Sequence, residues 1–496
     1  ASLADYLHQT LLISKNPLQS RNDLLEAVYR YAAQLLGEKV AEKTSQELDA
    51  FPVALTANHH GVDFLAQSVQ GSLIFSLRQI CGKQSETVPI FACGNIALNN
   101  STYPRGLLLY TVDRQASDIK LPIRLPIFSD RHKRKSVSTM DAFDSEMLAK
   151  AQGRLSMYVQ NEQLTSTLAA TAAAILSEDY QDKTIIGLKN YSQQAVVLNN
   201  RIWKRCFREP EQVPELVYLE LEKITSLLLQ IDLRDEDSLI WQVMFNPILR
   251  GKVLSRLDGA KTCWDRSKLS KRMCLKMGNK CHLPGGSGTI FFWAIDDAGC
   301  RVPLLLIDDS YRMAVLQGRD EQGKLWTIPF TPRNVLDGLR AGRLLPSLFT
   351  CYSTIGFARG ISCCGGYFQA EYLPAMQHGL VSALHELGDC KQVVEHVSQV
   401  PSDIYLSGMQ MVMHYSNDDL LLPAGPIEMI ANGGLTPKQI EQIRLLTVWD
   451  THLAGLMETL SDFQPVEQLD ESHPVNWRLM LAKESVHLLN NCIILT

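Results

Sequence analysis

Apolar and polar positions follow two different periods between residues 51 and 80. Residues 51–56 form a short apolar run typical of a buried strand, and a polar turn follows at residues 57–61. From residue 67 onwards the apolar positions recur with helical spacing on one face. The positions on that face are Val69, Leu73, Leu77 and Ile80. A strand that ends in a polar turn and leads into a helix is the first half of a βαβ unit, so the pattern predicts a parallel sheet.

Two further apolar runs extend this pattern, at residues 87–93 and 106–112. Both have the length of a strand, and we expect them to be the second and third strands of the sheet. Residues 1–50, by contrast, have helical periodicity. Because parallel strands end at the same edge of a sheet, the polar turns at 58–63 and 94–100 are expected to lie side by side.

The rest of the chain adds helices and one group of short strands. Residues 140–253 have helical periodicity throughout, which predicts a helical insertion. Residues 289–330 contain short apolar runs between Asp- and Gly-containing turns, which indicates an antiparallel meander. Further helices are expected at 367–387, 436–460 and 472–490. The patterns together predict an α/β fold in four regions: 1–140, the helical insertion 141–260, 261–400 with the meander, and the helical C-terminal region 401–496.

Composition and charge narrow the class of protein. The chain has 496 residues, of which 46% are hydrophobic and 20% charged, as in globular proteins of two or three domains. A net charge of −5 gives no electrostatic argument for nucleic acid or an anionic membrane as a partner. No apolar run reaches the ~18 residues of a spanning helix, and no secretory signal pattern opens the sequence. We therefore expect a cytoplasmic protein with a small-molecule substrate and neither membrane nor nucleic-acid partners.

The cysteines and one basic run each allow two interpretations. Twelve cysteines in a chain of this length are expected to be reduced thiols. Cys263, Cys274, Cys281 and His282 could supply the ligands of a structural zinc ion. Their spacing is not that of a zinc motif, however, and ordinary cysteines are the simpler interpretation. The basic run at residues 130–135 is either a solvated loop or an anion-binding lid.

Three blocks of the sequence resemble the bacillithiol-biosynthesis cysteine ligase family (BshC). Residues 56–61, Thr-Ala-Asn-His-His-Gly, stand where that family has a TGQQPG-type turn, and residues 89–95 stand at its next strand. Later, residues 344–346 and the pair Gly365-Gly366 match its LLP and GG segments. Gln369 and Tyr372 then fall on the family's glutamate and tyrosine. The two histidines replace two glutamines and the acidic residues after the second strand are lost, so we interpret the chain as a remote relative with altered chemistry.

This resemblance implies a fold and an activity. The fold would be a Rossmann-like parallel sheet similar to that of class I nucleotidylyltransferases, with a helical element that pairs two subunits into a homodimer. The activity would be that of an ATP-dependent ligase or transferase, which joins an amino acid or other carboxylate to an amine or thiol acceptor. The alternative is a non-catalytic nucleotide- or metabolite-binding protein on the same scaffold, because the second turn lacks acids that could act as a base.

The candidate site residues follow from the turns and from the resemblance. A helix start attracts phosphate, so ATP or a related nucleotide is expected at the 58–63 turn. The expected catalytic residues are His59, His60 and Asp63. The expected nucleotide-binding residues are Asn58, Gly61, Gly365 and Gly366, and those expected to bind the substrates are Asn95, Asn99, Gln369 and Tyr372. The competing interpretation makes the histidines ordinary turn residues, the glycines a tight turn and Tyr372 a core residue.

Overall fold

The computed structural model describes residues 1–14, 17–80, 82–111, 122–274, 286–308, 313–388, 390–416, 420–463, 489 and 491–495. Its α-helices are α1 Leu3–Thr10, α2 Asn22–Leu36, α3 Glu38–Ala50, α4 Ala66–Ser76, α5 Ser145–Gln160, α6 Ser166–Ala174, α7 Lys183–Ile186, α8 Tyr191–Arg205, α9 Leu221–Asp232, α10 Leu239–Phe245, α11 Pro247–Arg256, α12 Arg266–Met273, α13 Pro332–Arg340, α14 Leu348–Tyr352, α15 Tyr367–His385, α16 Lys391–Ser398, α17 Pro426–Ala431, α18 Pro437–Leu445 and α19 Val448–Phe463. Its strands are β1 Val53–Leu55, β2 Gln79–Ile80, β3 Lys83–Gln84, β4 Thr87–Ala92, β5 Gly106–Leu109, β6 Ile123–Pro126, β7 Glu215–Glu220, β8 Phe292–Ile295, β9 Arg301–Pro303, β10 Leu305–Ile307, β11 Val315–Arg319, β12 Leu325–Pro329, β13 Leu344–Pro346, β14 Ser362–Gly366, β15 Tyr405–Ser407, β16 Val412–Tyr415, β17 Leu421–Pro423 and β18 Ile493–Leu495.

The protein is a mixed α/β structure built on a five-stranded parallel sheet. The strand order is β15-β14-β1-β4-β7, and each neighbouring pair is parallel. The chain therefore builds outwards from β1 through β4 to β7, and then returns to add β14 and β15 on the other side of β1. The strand order reverses between β1 and β14. The expected parallel sheet and its first two strands are thereby confirmed.

Both faces of this sheet are buried. Along β1, Ala54 belongs to one hydrophobic cluster, whereas Val53 and Leu55 belong to another. Successive residues of a strand point to opposite faces, so apolar side chains cover the sheet on both sides. This explains why the strands are continuous apolar runs in the sequence rather than alternating ones.

Three sequence-based expectations about the strands are wrong. Residues 106–109 form β5, which pairs antiparallel with β6 instead of joining the parallel sheet. Residues 215–220, expected to be helical, form β7 along the full length of β4. Gly365 and Gly366, expected in a turn, are the last two residues of β14. The helical and strand periods overlap in the short segment 215–220, and pairing with β4 decides between them.

The predictions for the remaining segments are confirmed in part. The expected meander consists of antiparallel strands, which form the sheets β13-β8-β9 and β10-β11-β12. The expected helix 436–460 begins with a capping box at Thr436 but is interrupted between α18 and α19. The C-terminal region also contains strands, since β16 pairs with β17 and β18. The expected helix 472–490 lies, apart from residue 489, outside the described residues. Among the described helices, none combines the length and apolar character needed to cross a membrane.

Candidate functional site

The turn after β1 lies beside the turn after β4, as the sequence predicts. The amide of His60 donates to the carbonyl of Cys93 at 2.8 Å, and the amide of Cys93 donates to the carbonyl of Asn58 at 3.1 Å. These bonds prolong the parallel pairing beyond the end of β4. The polar residues of both turns therefore meet at the carboxyl edge of the sheet, which is where α/β proteins bind their ligands.

The second half of the first turn is held by helix α8. Tyr191 accepts a hydrogen bond from the amide of Val62 at 3.0 Å, and Asn199 accepts one from the amide of Asp63 at 2.9 Å. Gly61 has a φ of 120°, and a Cβ there would lie 2.6 Å from the Cβ of Pro104. Glycine is therefore required by the close packing and the backbone conformation. These amides already have protein partners and do not form an open phosphate cradle.

The expected position of the histidines at a helix start needs correction. Helix α4 begins at Ala66, after the turn has ended. The amide of Ala66 donates to the hydroxyl of Tyr110 at 2.8 Å, and the amide of Leu65 donates to Asp63 at 3.0 Å. His59 and His60 thus precede the helix, and its dipole does not act at their side chains because that effect fades within the first turn.

Asn58 and Asp63 belong to an internal hydrogen-bond chain. Asn58 donates to the hydroxyl of Tyr218 at 2.9 Å, and this hydroxyl donates to Asp63 at 2.7 Å. Burial raises the pKa of Asp63 to about 6, against the opposing effect of these hydrogen bonds. The two residues fix the shape of the turn from inside. Their placement assigns them a positioning role.

His59 is half-buried at the outer side of the turn. Its Nδ1 lies 3.0 Å from the side-chain oxygen of Asn100 and 3.3 Å from the hydroxyl of Thr102. Burial lowers the pKa of His59, and the positive charge of Arg301 lowers it further. His59 is therefore neutral near pH 7. Because its one ring proton lies on Nδ1, where it is donated to Asn100, Nε2 carries a lone pair and can accept a hydrogen bond from a ligand.

Glu222 supplies the acid that the second turn lacks in sequence. Its carboxylate accepts hydrogen bonds from the amides of Gly94 at 2.8 Å and Asn95 at 3.0 Å, and from the thiol of Cys93 at 3.2 Å. Burial, and then the negative charge of Glu220, raise the pKa of Glu222 to about 7. A carboxyl group with such a pKa can exchange a proton near neutrality, as a general acid or base must.

Arg301 brings a positive charge to the same place from strand β9. Its Nη1 donates to the carbonyl of Asn95 at 2.6 Å, and its guanidinium lies over the ring of Trp293 at 4.9 Å from the centroid. Burial lowers the pKa of Arg301 while the negative charge of Glu222 opposes that change. The side-chain oxygen of Asn95 is buried and has no hydrogen-bond partner in the described part of the chain. His59, Asn95, Glu222 and Arg301 are called the edge cluster below.

Gln369 and Tyr372 lie on helix α15, which directly follows β14. Gln369 donates to the hydroxyl of Thr56 at 2.6 Å and accepts from the hydroxyl of Tyr352 at 3.0 Å. A Cβ on Gly365 would lie 2.4 Å from the side chain of Gln369, so this glycine makes room for the glutamine. The hydroxyl of Tyr372 lies 3.4 Å from that of Tyr352. Gln369 and Tyr372 therefore belong to one network, which is joined through the hydroxyl of Tyr352. This network is separate from the edge cluster.

Other sequence candidates do not join the edge cluster. Asn99 is exposed, and its amide donates to the carbonyl of Lys133. In the basic run, Asp130 pairs with Arg105, Arg134 with Glu321 and Lys135 with Asp141, as in a solvated surface segment. The described cysteines, including Cys263 and Cys274, are free thiols. Cys281 and His282 lie outside the described residues, within which no three metal-ligating side chains form a candidate metal site.

Sequence reasoning missed Glu222, Arg301 and strand β7, which directly precedes the helix that carries Glu222. Pro214 and the aromatic and β-branched residues of 216–219 were a signal for a strand, although the helical pattern around them obscured it. Nothing local marks Arg301, because its role depends on contact with a loop far away in the sequence.

Comparison with known proteins adds no assignment. No model of a protein family, no curated protein and no solved structure matches this chain. The class that the fold and the edge cluster define is a mixed α/β protein with a polar, partly charged cluster at the carboxyl edge of a parallel sheet.

Proposed function

We propose that the chain is an enzyme that joins a small carboxylate, such as an amino acid, to an amine or thiol acceptor with the help of ATP or a related nucleotide. The remote resemblance to the bacillithiol-biosynthesis cysteine ligases supplies the reaction type. The observation that carries the proposal is that Glu222 and Arg301 both bond to the backbone of Asn95. It combines a group able to exchange a proton near pH 7 with a cation that can hold a carboxylate or phosphate.

The strand order supports a nucleotide site at this edge. A parallel sheet whose order reverses between two inner strands is typical of Rossmann-like folds, which bind ligands at the carboxyl ends of those strands. Here the reversal lies between β1 and β14, and helix α15 begins at Tyr367 directly after β14. We propose that the nucleotide occupies the crevice between His59 and Gly366, at the outer side of the first turn. When bound, it would supply the activation of the carboxylate.

The residues present fit an anion better on one side of this crevice than on the other. Arg301 offers a guanidinium, which is suited to phosphate or carboxylate oxygens. Nε2 of His59 offers a lone pair, which is suited to a hydroxyl or amino group of the nucleotide. The amides of Val62 and Asp63 are already bonded to α8. We therefore assign the phosphate contact to Arg301, a contact with a hydroxyl or amino group of the nucleotide to His59, and no contact to the inner half of the turn.

A second candidate function is favoured by one observation. The side chains of Asn58, His60 and Asp63 are almost wholly buried and hydrogen-bonded inside the protein. A non-catalytic protein that binds a nucleotide or metabolite on the same scaffold would need no reactive group in that turn. The two functions differ in whether ATP is consumed.

The proposal extends to cell compartment and assembly. The free, mostly buried thiols suit a reducing compartment, and we propose that the protein works in the cytoplasm. We also propose a homodimer formed through α18 and α19. Leu445 on the first helix is 76% exposed and Trp449 on the second is 73% exposed, and large apolar side chains of this kind are typical of interaction surfaces.

In the decisive experiment, the protein is incubated with ATP, a panel of amino acids and either an amine or a thiol acceptor. ATP and the products are then measured by mass spectrometry. We expect ATP consumption that requires both a carboxylate and an acceptor, and its loss in Glu222→Gln and Arg301→Met. The exposed substitution His8→Ala on α1 serves as a control. Binding of ATP without consumption under any combination would favour the second function, and absence of ATP binding by calorimetry would refute the nucleotide assignment.

A further inference from the structure

His60, Ser192 and Glu220 form a buried hydrogen-bond relay behind the edge cluster. Nε2 of His60 lies 2.9 Å from the hydroxyl of Ser192, and this hydroxyl donates in turn to the carboxylate of Glu220. All three side chains are at least nine-tenths buried. The three residues come from the turn after β1, from α8 and from the end of β7, so no local sequence pattern joins them.

The direction of this relay follows from counting protons. A carboxylate can only accept, so the single proton of the Ser192 hydroxyl is given to Glu220. The hydroxyl oxygen must then accept from His60, which requires a proton on Nε2. Burial lowers the pKa of His60, so the ring is neutral at pH 7. A neutral imidazole with a proton on Nε2 carries a lone pair on Nδ1.

That lone pair has no partner in the described part of the chain. Nδ1 of His60 is buried and unbonded, and the same holds for the hydroxyls of Ser138 and Tyr31. The last two lie near Glu220: a Cβ on Gly94 would lie 2.4 Å from the Ser138 hydroxyl and 3.1 Å from the Glu220 side chain, and burial, followed by the negative charge of Glu220, raises the pKa of Tyr31. Buried polar atoms without partners are costly, and the free lone pair on Nδ1 of His60 therefore indicates a small polar molecule that donates to it.

We propose that Ser192 and Glu220 are positioning residues that hold His60 in its Nε2–H tautomer, and that Nδ1 accepts a hydrogen bond from the N–H or S–H group of the acceptor. This rests on the proposed function, because it assigns the acceptor side of that reaction. A molecule at Nδ1 must be a donor, which selects an amine or a thiol over a carboxylate. Transfer of that proton to Nδ1 gives an imidazolium whose Nε2–H still donates to Ser192.

The groups that face His60 favour such a proton transfer only when a ligand is present. Glu220, on β7, is the nearby negative charge and stabilises an imidazolium through Ser192. Tyr218 stacks on the ring at a centroid distance of 6.5 Å, and Cys93 contributes the carbonyl that accepts from the His60 amide. Neither Tyr218 nor Cys93 is charged near pH 7, because burial raises the pKa of both. Burial therefore keeps the free ring neutral.

The test measures the tautomer directly, without an assay of activity. Protein labelled with ¹⁵N-histidine is studied by NMR, and His60 is assigned by its loss in His60→Gln. We expect an unprotonated Nδ1, far downfield of a protonated Nε2, from pH 6 to 8. Ser192→Ala should abolish this single tautomer, Ser192→Thr should retain it because the hydroxyl remains, and Glu220→Gln should mix the tautomers because an amide can donate to Ser192. A protonated Nδ1 in the wild type, or a tautomer unchanged in Ser192→Ala, overturns the proposal.

A second measurement addresses the ligand. Methylamine and 2-mercaptoethanol are titrated separately as an amine and a thiol probe. We expect one of them to shift the Nδ1 resonance of His60 upfield in a saturable way, with no shift in that of His8. If neither probe moves it, the acceptor assignment is overturned even where the tautomer is as proposed. Failure of ATP consumption would instead count against the proposed function and leave the tautomer result standing.

Discussion

The backbone amide of Asn95 donates to Oε1 of Glu222 at 3.0 Å, which ties the loop after β4 to the first turn of helix α9, directly after β7. The amide of Gly94 makes a similar bond to Oε2. One buried carboxylate therefore shapes the second polar turn and faces Arg301, which bonds to the carbonyl of the same asparagine. The geometry of the turn and the protonation of Glu222 are thus coupled.

This coupling predicts a pH-dependent stability for Glu222→Gln. Folding raises the pKa of Glu222 from 4.5 to about 7. Below pH 4.5 the group is protonated in both states, whereas between pH 4.5 and 7 it ionises mainly in the unfolded chain, which destabilises the native state as the pH rises. The glutamine does not titrate. We expect the stability of the variant relative to the wild type to increase by roughly 1–3 kcal/mol over this range, measured by urea denaturation at several pH values.

Glu428 offers a matched control for this measurement. It is fully buried, accepts from the amides of Tyr110 and Gly425, and has a pKa raised by burial to about 7. Glu428→Gln should show the same dependence of stability on pH without affecting ATP consumption. A pH-independent difference between Glu222→Gln and the wild type would contradict a raised pKa at Glu222.

Replacement of His59 by alanine should weaken nucleotide binding and leave the fold intact. The half-buried ring is the part of the first turn that can meet a ligand, and loss of one hydrogen bond between neutral groups costs roughly 0.5–1.5 kcal/mol, about two- to tenfold in affinity. Calorimetric titration with ATP measures the change. His60→Ala should instead lower the melting temperature, because it leaves Ser192 without its buried partner. Equal ATP affinity of His59→Ala and the wild type would remove His59 from the site.

Replacement of Arg359 should lower the stability of the protein more than replacement of a surface charge does. Arg359 is 1% exposed and bonds to Asp23 at 2.5 and 2.9 Å and to Asp232 at 2.8 and 3.1 Å. Arg359→Met leaves two carboxylates without their cation, at a cost of about 3–5 kcal/mol. The loss should shrink at acid pH, where the carboxylate of Asp232, whose pKa is raised by burial, becomes protonated. The exposed pair of Arg30 and Glu26 provides the comparison, since Arg30→Met should change stability by less than about 1 kcal/mol.

The homodimer can be tested at the exposed apolar residues of α18 and α19. We expect a dimeric mass by light scattering at micromolar concentrations. The double substitution Leu445→Ser and Trp449→Ser should give a monomer, because the loss of a large buried apolar residue from an interface costs 2 kcal/mol or more. Leu325→Ser, which replaces another exposed apolar residue on β12, should leave the mass unchanged. A monomeric wild type would refute the assembly.

The sequence by itself determined the local elements with a strong single period. The apolar runs of β1 and β4 and the helices of residues 1–50 could be predicted, because buried strands and amphipathic helices have distinct patterns over their own length. The adjacency of the two polar turns also followed, since parallel strands end at one edge. The reaction type that the remote family resemblance implies is absent from these local patterns and stays a prediction.

Only the tertiary structure decided which side chains meet. Residues 215–220 are a strand because β4 offers a free edge. Gly365 and Gly366 end a strand because pairing with β15 outweighs their preference for turns. Glu222 and Arg301 reach the same asparagine loop from positions distant in the sequence. His60 becomes a buried, tautomer-specific group only through Ser192 and Glu220. Long-range pairing and burial set these contacts and the pKa values that depend on them, and neither can be read from the residues adjacent in the chain.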